Sequence, residues 1–301
     1  MGHKALVVIR YIILTLCFWL PAASRKKLER WLRGREEYKQ LGKADWVLVS
    51  WGKSGRTWLR VMLSRAYQLK GELDEGSFLE FDNFRQLNDK LPAVFFTHNN
   101  YLKDYTGNSE PLADFRGKRV VLLVRDPLDV AVSQFFQWRF RMRARKKFIN
   151  DYPMQDTEIW DFVRDETVGV PRIVKFLNTW ARAIPDHGDV LLVRYRDMRA
   201  DPGRVLTQIL EFTDTSCSAE QIAAAVEFAR YDNMKKMEET RFFKGAGARV
   251  KPGDKDNPQS FKVRKGKVGG YRDYFTDEQC AQLEQMASAL DPVFDYRESK
   301  K

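Results

Sequence analysis

A chain of 301 residues, 44% of them hydrophobic, holds enough apolar material for a sizeable core and is not a disordered polymer. A formal net charge of +11 favours polyanions, phosphates or an anionic membrane face as partners. Cys17, Cys217 and Cys280 are far apart and form no CxxC pair, which argues against a disulfide scaffold or a structural zinc site; no metal is expected.

Residues Ala5 to Ala23 are apolar except for Arg10, and Pro21 ends the run. That length is short for a bilayer span, which needs about 20 apolar residues, and it would also suit a signal peptide. The flanks decide against secretion. Arg25, Lys26, Lys27, Arg30, Arg33 and Arg35 follow the run, whereas only Lys4 and Arg10 precede or interrupt it. Such asymmetry keeps the basic side, and all that follows, in the cytoplasm. A basic amphipathic helix is expected next, with Leu28, Trp31 and Leu32 on one face. Residues 1–40 thus read as a membrane-associating segment, an interfacial anchor or a short span, at the cytoplasmic face of a membrane. The alternative is an extra helix packed on a soluble cytoplasmic domain. Residues 41–301 form the domain itself.

Four apolar runs then predict buried strands, at 46–51, 93–98, 118–127 and 188–198. Helical periods lie between and after them, over 57–69, through the aromatic segment 135–140, and over 171–184, 204–212 and 219–229. Continuous apolar strands alternating with helices predict an α/β fold, a mainly parallel sheet covered on both faces. Residues 244–260 combine glycine, proline and charge without periodicity and predict a mobile loop.

The chemistry gathers at strand ends. Trp51-Gly52-Lys53-Ser54-Gly55-Arg56-Thr57 stands where a strand hands over to a helix, so its amides, the helix dipole, Lys53 and two hydroxyls form an anion cradle. A triphosphate P-loop would need glycine at position 47, which is Val47. A small-molecule kinase nevertheless survives as an alternative, through Asp126 at a strand end. Arg125 and Ser133 form a second cationic and polar cluster, and Arg264, Lys265 and Gly266 a third. A non-catalytic polyanion or membrane binder is the other alternative, resting on the net charge and on the mixed basic and aromatic segment 138–147.

Taken in order, these motifs resemble the sulfotransferase family that uses 3′-phosphoadenosine-5′-phosphosulfate (PAPS). Trp51 to Trp58 is similar to the family's first loop, Arg125-Asp126-Pro127 to Ser133 to its 3′-phosphate motif, and Arg264-Lys265-Gly266 with Phe275-Thr276 to its late motif. The resemblance covers about residues 44–290 and implies a single P-loop-like domain related to nucleotide kinases. It implies that Lys53 contacts the sulfate and the bridging oxygen. Ser54, Gly55, Arg56 and Thr57 would hold the 5′-phosphate, and Trp58 would stack on adenine. Arg125, Ser133, Arg264, Lys265 and Gly266 would serve the 3′-phosphate side, with Tyr195 and Tyr231 at matching aromatic positions. His98 matches the base that takes the acceptor's proton. PAPS is the implied co-substrate, PAP the product, and a hydroxyl the acceptor, with a lipid or lipid-linked glycan fitting an anchored enzyme. The family's lysine two residues before the base is Phe96 here, so the sulfuryl group lacks that cation.

Overall fold

The apolar runs become β1 (Trp46–Ser50), β2 (Val94–Thr97), β3 (Arg119–Val124) and β4 (Val190–Arg194), which pair in the order β2-β1-β3-β4, all parallel. The computed structural model describes residues 3–110, 112–243, 252–254, 256–262 and 266–296. Val47 stands opposite Phe95 on one side and Val120 on the other, and Leu122 opposite Leu192.

Alternation along the central strands feeds two cores. Val47, Val49, Val120 and Leu122 face one, with α5 (Pro127–Phe140), α8 (Val170–Ala183) and α13 (Asp277–Ala287). Trp46, Leu48, Val121 and Leu123 face the other, with α3 (Arg56–Gly71), α10 (Pro202–Phe212), α11 (Ala219–Phe228) and α12 (Tyr231–Thr240). α8 shows why such helices lie flat on the sheet: Val170, Ile173, Val174, Leu177 and Trp180 recur at helical spacing and are all buried. Emptying one such position, as in Leu48→Ala, costs about 2–5 kcal/mol.

Two expected strands end sooner than their apolar runs suggest. β3 stops at Val124 because the Asp126 carboxylate accepts from the Leu128 amide and Pro127 occupies the first turn of α5. β4 stops at Arg194 because Tyr195 opens a short helix, α9 (Tyr195–Ala200). Three other short helices complete the path, α4 (Leu102–Thr106), α6 (Ala144–Ile149) and α7 (Ile159–Arg164).

The amino terminus forms α1 (His3–Leu16) and α2 (Ala22–Lys43), separated by a turn over 17–21. The apolar run is thereby broken: α1, at 1.5 Å per residue, extends about 20 Å, short of the roughly 30 Å hydrocarbon layer. Among the described residues no helix is long and apolar enough to cross a membrane. α2 runs through residue 40 and lies on α4, so closely that a Cβ on Gly34 would sit 2.3 Å from the Tyr101 carbonyl oxygen. Arg30 donates to the Asn100 and Ile149 carbonyls and to Asp104, and Lys26 pairs with Asp151. Cations expected to face lipid are thus partly engaged by the domain. Arg10 is buried against Glu36 at 3.0 Å, which ties α1 to α2.

Of the loop expected over 244–260, residues 244–251 and 255 lie outside the described residues. Its last part is held: Pro258–Ser260 is a 3-10 turn, Ser260 is buried, and the Ser260 carbonyl accepts from Arg141 Nη1 at 2.7 Å.

Candidate active site

All four strands point their carboxyl ends at one cavity of about 910 Å3. After β1 the chain turns sharply, with Lys53 at φ 71° and Gly55 at φ 98°, a left-handed conformation that glycine adopts without strain. A side chain on Gly55 would also collide with the Tyr195 ring, 2.6 Å from its would-be Cβ. The turn delivers the first amides of the 16-residue helix α3 to the cavity, with Lys53, Arg56, Thr57 and Trp58 in its lining. Ser54 is buried beneath them.

Arg125, just past β3, is held over the Tyr195 ring at 4.4 Å and donates to the Lys53 and Lys267 carbonyls and to Asp129. Among the described residues its Nε has no partner. Asp129, 3% exposed, also accepts from the Gly269 and Tyr271 amides, both at 3.1 Å, and so fastens the segment that begins at Gly266 to α5. A Cβ on Gly266 would lie 3.9 Å from both the Tyr195 hydroxyl and the Tyr231 ring, and Ser133 lines the same space. Trp58 donates to the Ala229 carbonyl, its ring edge-on to Tyr195. Eleven of the expected residues, His98 among them, therefore line the cavity; Arg264 and Lys265 lie outside the described residues.

His98 sits just beyond β2. Its Nδ1 is 2.6 Å from the Ser50 carbonyl oxygen and its Nε2 is 2.7 Å from Arg56 Nη2. A carbonyl only accepts, so Nδ1 carries the ring proton. Burial, then the positive charge of Arg56, hold the imidazole well below its usual range, hence neutral. His187 instead bonds the Phe115 carbonyl and stays outside the cavity.

Several cavity residues escape sequence reasoning. Arg141 pairs with Glu238 at 3.1 Å, and the same carboxylate oxygen accepts from the Lys262 amide at 2.8 Å. Lys262 lines the cavity, and burial, then the nearby charge of Lys53, push its ammonium well below the usual lysine range. The only signal for Arg141 was the basic and aromatic segment 138–147, which splits here: Trp138 is core, while Arg141, Met142, Arg143 and Lys146 face the cavity. The Arg60 guanidinium stacks on the Phe96 ring at 4.2 Å. Glu37, from α2, carries a carboxyl that burial pushes up to about 8 against the opposing charge of Arg56.

Known proteins share this fold. A family model for the sulfotransferase domain matches residues 43–290. The chain belongs to the sulfotransferase family. Cytosolic sulfotransferase 16 of Arabidopsis thaliana is 25% identical over 273 residues, 80% of this chain and 74% of that protein. Human sulfotransferase 2A1 is 21% identical over 261 residues, covering 80% and 82% of the two chains. Among solved structures, mouse sulfotransferase SULT7A1 complexed with PAP has the same fold, with a TM-score of 0.52, 20% identity and coverage of 82% of this chain and 87% of the other. Retinol dehydratase in complex with retinol and PAP aligns with a TM-score of 0.54 at 19% identity, over 81% and 80% of the chains. The parallel sheet and its flanking helices are thus those of the sulfotransferase fold. Helix α2, which brings Glu37 toward the site, ends where the matched region begins.

Proposed function

We propose that this sulfotransferase moves the sulfuryl group of PAPS to an acceptor hydroxyl. One observation carries the reading: the loop after β1, His98 beyond β2, Arg125 and Ser133 beyond β3, and Gly266 all open on one cavity. The loop amides with Ser54, Gly55 and Thr57 suit the 5′-phosphate, and Trp58 offers its ring to adenine. Arg125, Ser133 and Gly266, with Tyr195 and Tyr231 beside them, suit the 3′-phosphate, as do Arg264 and Lys265 by position in the sequence. The acceptor oxygen attacks sulfur, the bond from sulfur to the bridging oxygen breaks, and PAP leaves. The acceptor proton passes to His98 Nε2, and Lys53 meets the charge that builds on the departing phosphate. Incubation with labelled PAPS and a panel of hydroxyl acceptors tests this: wild type should transfer label, and His98→Ala should bind PAP with unchanged affinity yet lose transfer. Normal transfer by the variant refutes the assignment of the base.

Residues 1–40 are read as a membrane-associating segment attached to a catalytic domain over 41–301, at the cytoplasmic face of a membrane. Val8, Ile12 and Leu16 recur on one side of α1, and Phe18 and Trp19 continue it, 53–72% exposed. Arg25 and Lys27, in the first turns of α2, are exposed, and cations following an exposed apolar patch suit an anionic lipid surface. An enzyme held there meets hydroxyls of lipids or lipid-linked glycans first. Flotation with phosphatidylserine vesicles should carry wild type upward and leave a Phe18→Ser/Trp19→Ser variant behind; equal flotation of the two removes the surface and its acceptor class.

A further inference from the structure

Arg56 is the first residue of α3, at the place where an anion would collect, yet its guanidinium is turned to the histidine. Nη2 lies 2.7 Å from His98 Nε2, and the proton on Nδ1 is committed to the Ser50 carbonyl. Nε2 therefore presents its lone pair, and Arg56 donates to it. Arginine does not release a proton in this range, so the contact cannot pass a proton on. The lone pair required by the acceptor hydroxyl is occupied. Arg56 and Lys53 share the cavity wall with His98, so an anion seated at the loop competes for the same guanidinium.

Building on the sulfuryl-transfer reading, we propose that Arg56 is a donor-responsive cap on the base, closed on His98 Nε2 in the free enzyme and drawn to the phosphosulfate group when the donor binds. One movement then does two things. It uncovers Nε2 for the acceptor's proton, and it brings to the sulfuryl oxygens a cation that Phe96 does not supply. The base becomes competent only after the donor is in place, which imposes donor-first order. The charges that face His98 are Arg56 from α3, Lys146 from α6 (Ala144–Ile149) and Lys262 from the segment after the 3-10 turn, and Arg56 donates to its ring.

The test uses full-length enzyme with nitrogen-labelled histidine and PAP as the probe, His98→Gln supplying the assignment. In free wild type the Nε2 resonance should be that of a hydrogen-bonded, unprotonated nitrogen. PAP should shift it toward a free lone pair and raise the His98 titration midpoint by one unit or more. In Arg56→Ala, and in Arg56→Gln should the alanine variant fold poorly, the midpoint should already be raised without ligand, and PAP should move it by clearly less. Turnover of labelled PAPS should fall about a hundredfold, the scale of losing one transition-state donor. A His98 midpoint equal in free wild type and free Arg56 variants overturns the cap, as does a resonance that PAP leaves unmoved. Calorimetry on the same samples separates the two ideas: no PAP binding defeats the sulfuryl-transfer reading, whereas binding without a His98 response defeats the cap alone.

Discussion

Truncating Asp129 to alanine should loosen one wall of the cavity without touching any ligand directly. The carboxylate accepts from the amides of Gly269 and Tyr271 at 3.1 Å and from Arg125 at 3.3 Å, and it is 3% exposed. Its loss leaves two loop amides without an acceptor, and hydrogen bonds to a charged group are worth about 1.5–3 kcal/mol each. Arg125 is not orphaned, because the carbonyls of Lys53 and Lys267 still receive it. The expected cost is therefore near the lower end of that for breaking a buried pair, about 3–4 kcal/mol. Asp129→Asn should cost less, since one oxygen still accepts, although its amide group must face a second donor. Because the same carboxylate positions both Arg125 and the segment starting at Gly266, PAP affinity should fall by about tenfold or more, equivalent to 1.4 kcal/mol. Urea denaturation gives the first quantity and calorimetry with PAP the second. An alanine variant with the wild-type urea midpoint and wild-type affinity would refute the reasoning. A stability loss with unchanged affinity would show that the segment does not communicate with the nucleotide.

Lys53→Ala should reduce turnover about a hundredfold, the loss of roughly 3 kcal/mol of transition-state stabilisation, with a smaller effect on PAP affinity; steady-state kinetics at saturating donor checks this. Ser133→Ala should weaken discrimination between PAP and adenosine 5′-phosphate, read as the ratio of their dissociation constants by calorimetry. Asp126, raised to about 6 by burial and then by the charge of Asp129, holds its proton in the folded state after the unfolded chain has released it near 3.8. The folded state is therefore penalised as pH rises between these values, so Asp126→Asn should melt like wild type below about pH 4 and above it at pH 7, by at most about 3 kcal/mol. Thermal melts across that pH range decide the matter.

The strands were legible because runs such as Val120 to Val124 are apolar on both faces, a pattern only a sandwiched parallel strand needs. The anion loop was legible because glycines, a lysine and hydroxyls stand together at a strand-to-helix junction. Strand ends were not, since a cap such as Asp126 and a helix opening such as Tyr195 override the apolar run. Arg141, Lys262 and Glu37 were illegible for another reason. Packing, not local sequence, brings Arg141 and Lys262 to the cavity lining and sets Glu37, from α2, within reach of the Arg56 charge. The basic face of α2 misled in part, because a row of cations in sequence does not disclose whether lipid or, as for Arg30 and Lys26, Asp104 and Asp151 will answer them.

The strand order has a meaning for how the protein is made. During synthesis β1 emerges first, β2 joins one edge, β3 the other, and β4 then extends from β3. Every newcomer docks on an open edge, and none has to pry apart strands already paired. Such growth by accretion suits a chain that leaves the ribosome from its amino end. It also sets a timetable for the cavity. The loop after β1 and His98 are laid down within the first hundred residues, but Gly266 and the segment fastened to Asp129 arrive last. A nascent chain would thus hold half of the cavity long before the half that closes over it.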